Sequence, residues 1–202
     1  MTVIESADLS AVERRALLDL ARAAIGERLH RDGRLAATVA GLRITPALAR
    51  PAALFVTLKQ ADPAAGGRSV LRGCIGVLEA TRPLYSEVVE TAPKAAFEDP
   101  RFPPLAPAEL DAVTMGLSVL TPPRRLHGPG EIVVGRDGVQ LVRGSARSVF
   151  LPQVALEQGW DRERLLAHLS RKAGLADQDW RSAELFAFRT ESFGETDQLP
   201  GG

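Results

Sequence analysis

Apolar residues recur at helical spacing between residues 12 and 30. Val12, Leu17, Leu18, Ala21, Ile25 and Leu29 form one stripe, with Glu13, Arg14, Arg22 and Arg28 largely off it. Ser10 and Glu13 stand at capping-box spacing before this stretch and Gly33 lies after it, so the pattern predicts an amphipathic core helix. Residues 53–60 then read as a strand, and residues 69–78 as a second. Asp62-Pro63 and Gly66-Gly67 lie between them, which predicts an antiparallel pair joined by a long hairpin loop. Thr81 and Pro83 open a second helix towards Phe97, with Pro93 expected to kink or split it. A helical turn at 109–113 and a strand at 114–120 follow. Beyond a Pro/Gly/Arg connector, 132–134 and 139–142 suggest a hairpin around Asp137-Gly138. Gly144 turns the chain into 149–151. Residues 152–158 read as a short helix ended by Gly159, and Asp161 caps a stronger one buried through Leu165, Leu166 and Leu169. Residues 185–188 give a last strand, and 194–202 an expected frayed tail.

This order of elements argues against regular βαβ winding. It predicts an α+β fold, a mixed or antiparallel sheet with packed helices. The length of 202 residues suits a single domain, or one with a small lobe. Charged residues make up 25% and balance to a net charge of zero, without the clustered basic excess of a general polyanion binder. Nucleic acid is therefore the weakest of the partners considered. The polar, acidic start at residues 1–10 does not read as a signal peptide, and no apolar run approaches the roughly 20 residues of a membrane span. The expected location is cytoplasmic. The lone cysteine, Cys74, excludes an intrachain disulfide or a Cys-rich metal site, and a single free thiol suits a reducing compartment.

The candidate chemistry gathers at Leu71-Arg72-Gly73-Cys74-Ile75-Gly76. Glycine weakens a strand, so Gly73 and Gly76 suggest a bulge or a close approach to the backbone. Arg72 would favour the Cys74 thiolate, the nucleophilic form. The competing reading is a buried cysteine acting as a small hydrophobe. Glu98-Asp99-Pro100-Arg101-Phe102 is either an Arg101 anion clamp held by Asp99 or Glu98, or a helix exit with Phe102 plugging the core. His30, His127 and His168 are scattered and read as surface or capping residues; Trp160 and Trp180 read as core.

The hexapeptide resembles the signature of the AMMECR-domain family, whose microbial members are also called AmmeMemoRadiSam system protein A. Further segments match in the same order. They are Phe55-Val56-Thr57-Leu58-Lys59, the eleven-residue run from Ala95 to Leu105, Leu151-Pro152-Gln153-Val154-Ala155, Gln158-Gly159-Trp160-Asp161 and Lys172-Ala173-Gly174-Leu175. Val77-Leu78 departs from the Thr-aromatic pair of many members, and Pro93 from a helix usually free of proline. The resemblance implies a larger lobe (about 10–120 and 152–193), a smaller β-rich lobe (about 121–151), and the cysteine motif near the cleft between them. It implies partners in a Memo-like protein and a radical S-adenosylmethionine protein, and it carries no settled activity and names no cofactor.

By residue, the resemblance points to Cys74 as a catalytic candidate, and to Arg72, Gly73, Gly76, Lys59, Asp99 and Arg101 as ligand-binding candidates, with no metal ligands. Three functions stay open. One is a cysteine-dependent enzyme or enzyme subunit acting on a small anionic substrate, with Lys59 or Glu98 as bases only if folding brings them close. Another is a non-catalytic accessory module. The last is nucleic-acid binding, against which the zero net charge and 5% aromatic content speak.

Overall fold

The computed structural model describes residues 9–62 and 67–197. They form an α+β fold with two four-stranded antiparallel sheets. The chain divides into two compact units. Thr121–Thr190 forms an inserted unit, and the described residues up to Leu120 together with those from Glu191 form the main unit.

In the main unit, α1 (Ala11–His30) begins as its sequence predicts. The Ser10 hydroxyl accepts from the Glu13 N–H, and the Glu13 carboxylate accepts from the Ser10 N–H at 2.7 Å. Its end differs from expectation. Arg31 adopts the left-handed conformation and its N–H returns to the Glu27 carbonyl, while Gly33, at φ 74°, instead starts another helix. That helix, α2 (Arg34–Gly41), and the short α3 (Pro46–Ala49) occupy a stretch read from the sequence as connecting chain.

Strands β1 (Leu54–Asp62) and β2 (Arg68–Val77) form the expected antiparallel pair. Helix α4 (Leu84–Phe97) follows, and Pro93 neither ends nor splits it. Strand β3 (Val113–Leu120) pairs with β1, and β8 (Thr190–Gly194) completes the order β2-β1-β3-β8. β8 was not anticipated, and the expected frayed tail begins with held residues. Glu195 takes two hydrogen bonds from the Arg22 guanidinium and one from the Met115 N–H. Residues 198–202 of that tail lie outside the described residues.

Alternation gives this sheet two unlike faces. Leu54, Val56, Leu58, Met115 and Leu117 are buried in one core with Leu17, Ile25, Val88 and Ala92 of α1 and α4. The opposite side chains of β1–β3 are short or polar: Thr57, Thr114, Gly116 and Ser118, with Phe55 and Lys59 at larger size.

The inserted unit carries β4 (Arg124–Arg125), β5 (Gly138–Arg143), β6 (Ala146–Phe150) and β7 (Glu184–Phe188), ordered β4-β7-β5-β6. It also carries α5 (Pro152–Glu157) and α6 (Arg162–Lys172). The expected hairpin around Asp137-Gly138 does not form. β5 pairs with β6 across Gly144-Ser145, and Gly138 already lies in β5 opposite Phe188. The buried Asp137 carboxylate instead accepts from the Val133 N–H and the Arg136 guanidinium, which fixes 133–137 as a turn.

Residues 152–190 were expected in the larger lobe. Instead Ala155, Leu165, Leu166, Leu169, Trp180 and Leu185 share one core with Val139 and Leu141, so α5, α6 and β7 belong to the inserted unit. Asp161 caps α6 as expected, its Oδ1 accepting from the Arg164 N–H at 2.8 Å. Asp161→Ala is expected to lower stability by about 1 kcal/mol. A urea unfolding midpoint equal to the parent's would show that this cap carries no weight.

Candidate functional site

The site begins with an irregularity in β2. Leu58 pairs with Gly73 but Lys59 pairs with Leu71, so Arg72 is an extra, bulged residue. The two glycines then admit neighbours that no side chain would allow. A Cβ on Gly73 would lie 2.2 Å from the Ala95 carbonyl oxygen of α4, and one on Gly76 would lie 2.3 Å from the Phe55 ring. Both the bulge and the close approach read from the glycine pattern are present.

Cys74 lies opposite Thr57, on the sheet face away from α1 and α4, and is partly exposed. Its sulfur is 3.4 Å from the Thr57 hydroxyl. Its backbone is held by two side chains from the turn after α4. The Cys74 N–H donates to Asp99 Oδ2 at 2.8 Å, and the Cys74 carbonyl accepts from Arg101 Nη2 at 3.2 Å. β2 is an edge strand, so these two residues satisfy groups that a further strand would otherwise pair.

The Asp99 side chain is 2% exposed and accepts from Arg101 Nε and Nη2, as well as from the Arg101 N–H. The Arg101 guanidinium holds the Asp99 carboxyl far below the usual carboxylate range. Burial opposes this, and the Cys74 and Arg101 N–H bonds reinforce it. Asp99 in turn raises the pKa of Arg101 above its ordinary value. An ionised, fully engaged carboxylate is a poor general base, so Asp99 is suited to positioning.

The structure therefore brings Cys74, Asp99 and Arg101 together and gives Arg72 another role. Arg72 is buried and makes a bidentate pair with Glu109, at 2.8 and 3.0 Å. Arg72 holds the Glu109 carboxyl below its ordinary pKa. The expectation that Arg72 stands as the charge beside the thiol is corrected: the cation bonded to the Cys74 peptide is Arg101. Glu98 pairs with Arg28 at 2.8 Å rather than with Arg101. Phe102 lies under the Arg101 guanidinium, 5.5 Å from ring centroid to Cζ, and is absent from the buried core. Lys59 projects on the face that carries Thr57 and Cys74 and is exposed.

Thr57 and Glu109 were not singled out from the sequence. Thr57 could have been, as it lies within the Phe55–Lys59 match. Glu109 gave no local signal, standing 37 positions from Arg72. Among the described residues no cluster of three or more His, Cys, Asp or Glu could hold a metal ion. None of their helices is long and apolar enough to cross a membrane.

A two-sheet α+β fold with a glycine-flanked cysteine on an edge strand narrows the class, and the comparisons supply the family. A model of the AMMECR1 family matches residues 18–193, and the chain belongs to that family. A protein of Thermofilum pendens is 42% identical over 200 residues, covering 93% of this chain and 92% of its own. A protein of Methanothermobacter thermautotrophicus is 39% identical over 192 residues, covering 92% and 95%. The crystal structure of an uncharacterized protein from Pyrococcus horikoshii aligns with a TM-score of 0.73 at 36% identity, covering 89% of this chain and 90% of its own.

Proposed function

We propose that the face around Cys74 binds a small anionic ligand, with Arg101 taking the charge and the Cys74 thiol in contact with the bound molecule. One observation carries this reading. A guanidinium on a 54% exposed side chain is fixed against the Cys74 peptide by a buried carboxylate. Its orientation is settled before any ligand arrives, which lowers the entropic cost of binding. Arg101 Nη1 is used neither by Asp99 nor by the Cys74 carbonyl. Lys59 adds a second exposed cation on the same face.

The thiol as a nucleophile is the second reading, supported by the partial exposure of Cys74 and by a polar neighbour of its sulfur, the Thr57 hydroxyl at 3.4 Å. In this reading the protein is a cysteine-dependent enzyme or enzyme subunit. In the first it is a binding module, and the family resemblance suggests Memo-like and radical S-adenosylmethionine proteins as its partners. Co-purification with both, against a control bait, tests that part.

The alkylation rate of Cys74 with iodoacetamide, followed against pH with and without phosphate, sulfate or small carboxylates, tests the site. Binding predicts that one of these anions slows alkylation of the folded protein. It also predicts that Arg101→Lys weakens this protection about tenfold by losing the bidentate fork. A rate that stays high well below pH 8 favours the nucleophile. A thiol that reacts only after unfolding sinks both readings.

A further inference from the structure

We infer that a second ligand site, suited to a small apolar molecule bearing one anionic group, lies between α1, α2 and α3 in the main unit. A cavity of about 590 Å³ opens there, walled by Val12, Ala16, Ala37, Leu42 and Leu48. That volume lies within the range of small-molecule pockets, which are largely apolar with a few polar groups at fixed points.

Two observations mark this region as unfinished surface. Helix α2 reads Arg-Leu-Ala-Ala-Thr-Val-Ala-Gly, and none of its residues is buried. Apolar helices in a folded unit ordinarily cover a core, but this one is covered only in part, with Leu35 half-buried and Ala36, Ala37, Val39 and Ala40 exposed. Of the six large hydrophobic side chains left exposed among the described residues, Val12 lines the cavity, Val39 lies on α2 and Ile44 stands between α2 and α3. An apolar concentration of this kind marks a binding surface.

The charges choose the ligand class. Three charged residues line the cavity: Glu13, Asp19 and Arg43. Glu13 accepts from the Ser10 N–H and hydroxyl through Oε2 and from the Thr45 hydroxyl through Oε1. Asp19 pairs with Arg15 at 3.0 Å. Arg43 is exposed, and among the described residues no carboxylate pairs with it. Both Glu13 oxygens and one Asp19 oxygen are thus engaged within the chain, and Arg43 is the one cation lining the cavity, beside its apolar wall. A medium-chain carboxylate or an aromatic sulfonate meets both requirements, with its tail against Ala16, Ala37 and Leu42 and its head on the Arg43 guanidinium.

The test uses 8-anilinonaphthalene-1-sulfonate, an apolar anion, with decanoate as competitor, on the full chain. A saturable fluorescence rise that decanoate reverses is expected. Ala37→Trp fills the cavity from an exposed position and should abolish it. Arg43→Glu should weaken it about tenfold. Unchanged circular dichroism in both variants separates loss of the site from loss of the fold. No saturable rise overturns the proposal. So does a rise untouched by both variants, which would place the probe elsewhere. A self-associated chain in sedimentation that Ala37→Trp dissociates, with no decanoate competition, also overturns it by assigning the surface to a second copy.

Discussion

Gly73→Ala is expected to destabilise the protein by about 3 kcal/mol or more, through overpacking with no route of escape. The added Cβ would stand 2.2 Å from the Ala95 carbonyl oxygen, and that oxygen belongs to α4. A flexible side chain could rotate aside. Here either the helix or the strand must move, and Leu58, Val88 and Ala92 are packed in the same core. Gly116→Ala is the control. Its Cβ meets only the Phe193 carbonyl oxygen at 3.7 Å, an ordinary contact, so its expected cost is within about 0.5 kcal/mol. Urea unfolding of both variants decides the matter. A Gly73→Ala midpoint equal to that of Gly116→Ala would mean that α4 does not press on β2 as described.

The second large effect belongs to Asp99. Asp99→Asn is expected to lower stability at pH 7 by about 2 kcal/mol, weighted to the low side because Arg101 is half exposed. The variant leaves the Cys74 N–H and the Arg101 fork facing a neutral amide, whose single oxygen replaces only one of the two carboxylate oxygens. The difference should also depend on pH. An unfolded aspartate titrates near pH 4, whereas the folded Asp99 carboxyl is held far lower. Its ionised form thus favours the folded state fully above the unfolded value. That contribution declines as pH falls below about 4 and vanishes once the folded carboxyl is itself protonated. The gap between parent and variant should therefore narrow steadily from pH 5 towards pH 2. A constant gap over that range would mean that the carboxylate charge contributes nothing and only the shape of the side chain matters.

What could be read from the chain was what is local. The Ser10–Glu13 box, the apolar stripe of α1 from Leu17 onward and the Asp161 cap each rest on residues about one turn apart, and each is present, whereas Val12, read into that stripe, is exposed. Glycines inside a strand also spoke directly, because a missing Cβ at Gly73 has one structural use and the chain makes it. α2 gives no strong start signal because its N-cap residue is Gly33, and no buried stripe because none of its residues is buried. β8 was hidden by its position, one residue after β7 yet completing a different sheet. The role of Arg72 was misread for a geometric reason. Arg72 stands two positions from Cys74, which in a regular strand would set both on one face, and the bulge removes that alternation at Arg72 itself. Its partner Glu109 lies on a separate turn, a pairing that only folding reveals.

The position of β8 also sets an order for synthesis. A ribosome delivers the main unit's first three strands and both of its large helices before the inserted unit, but Phe193 and Glu195 only after it. Until they emerge, β3 has an open edge and Arg22 lacks its carboxylate partner. Every strand and helix of the inserted unit lies between Thr121 and Thr190, so that unit can close its own core while the main unit still waits. The main unit, begun before the inserted one, is thus completed after it. A chain released at residue 189 would carry a complete inserted unit joined to a main unit with one side of its sheet unsealed, the kind of edge that chaperones hold and that neighbouring chains extend.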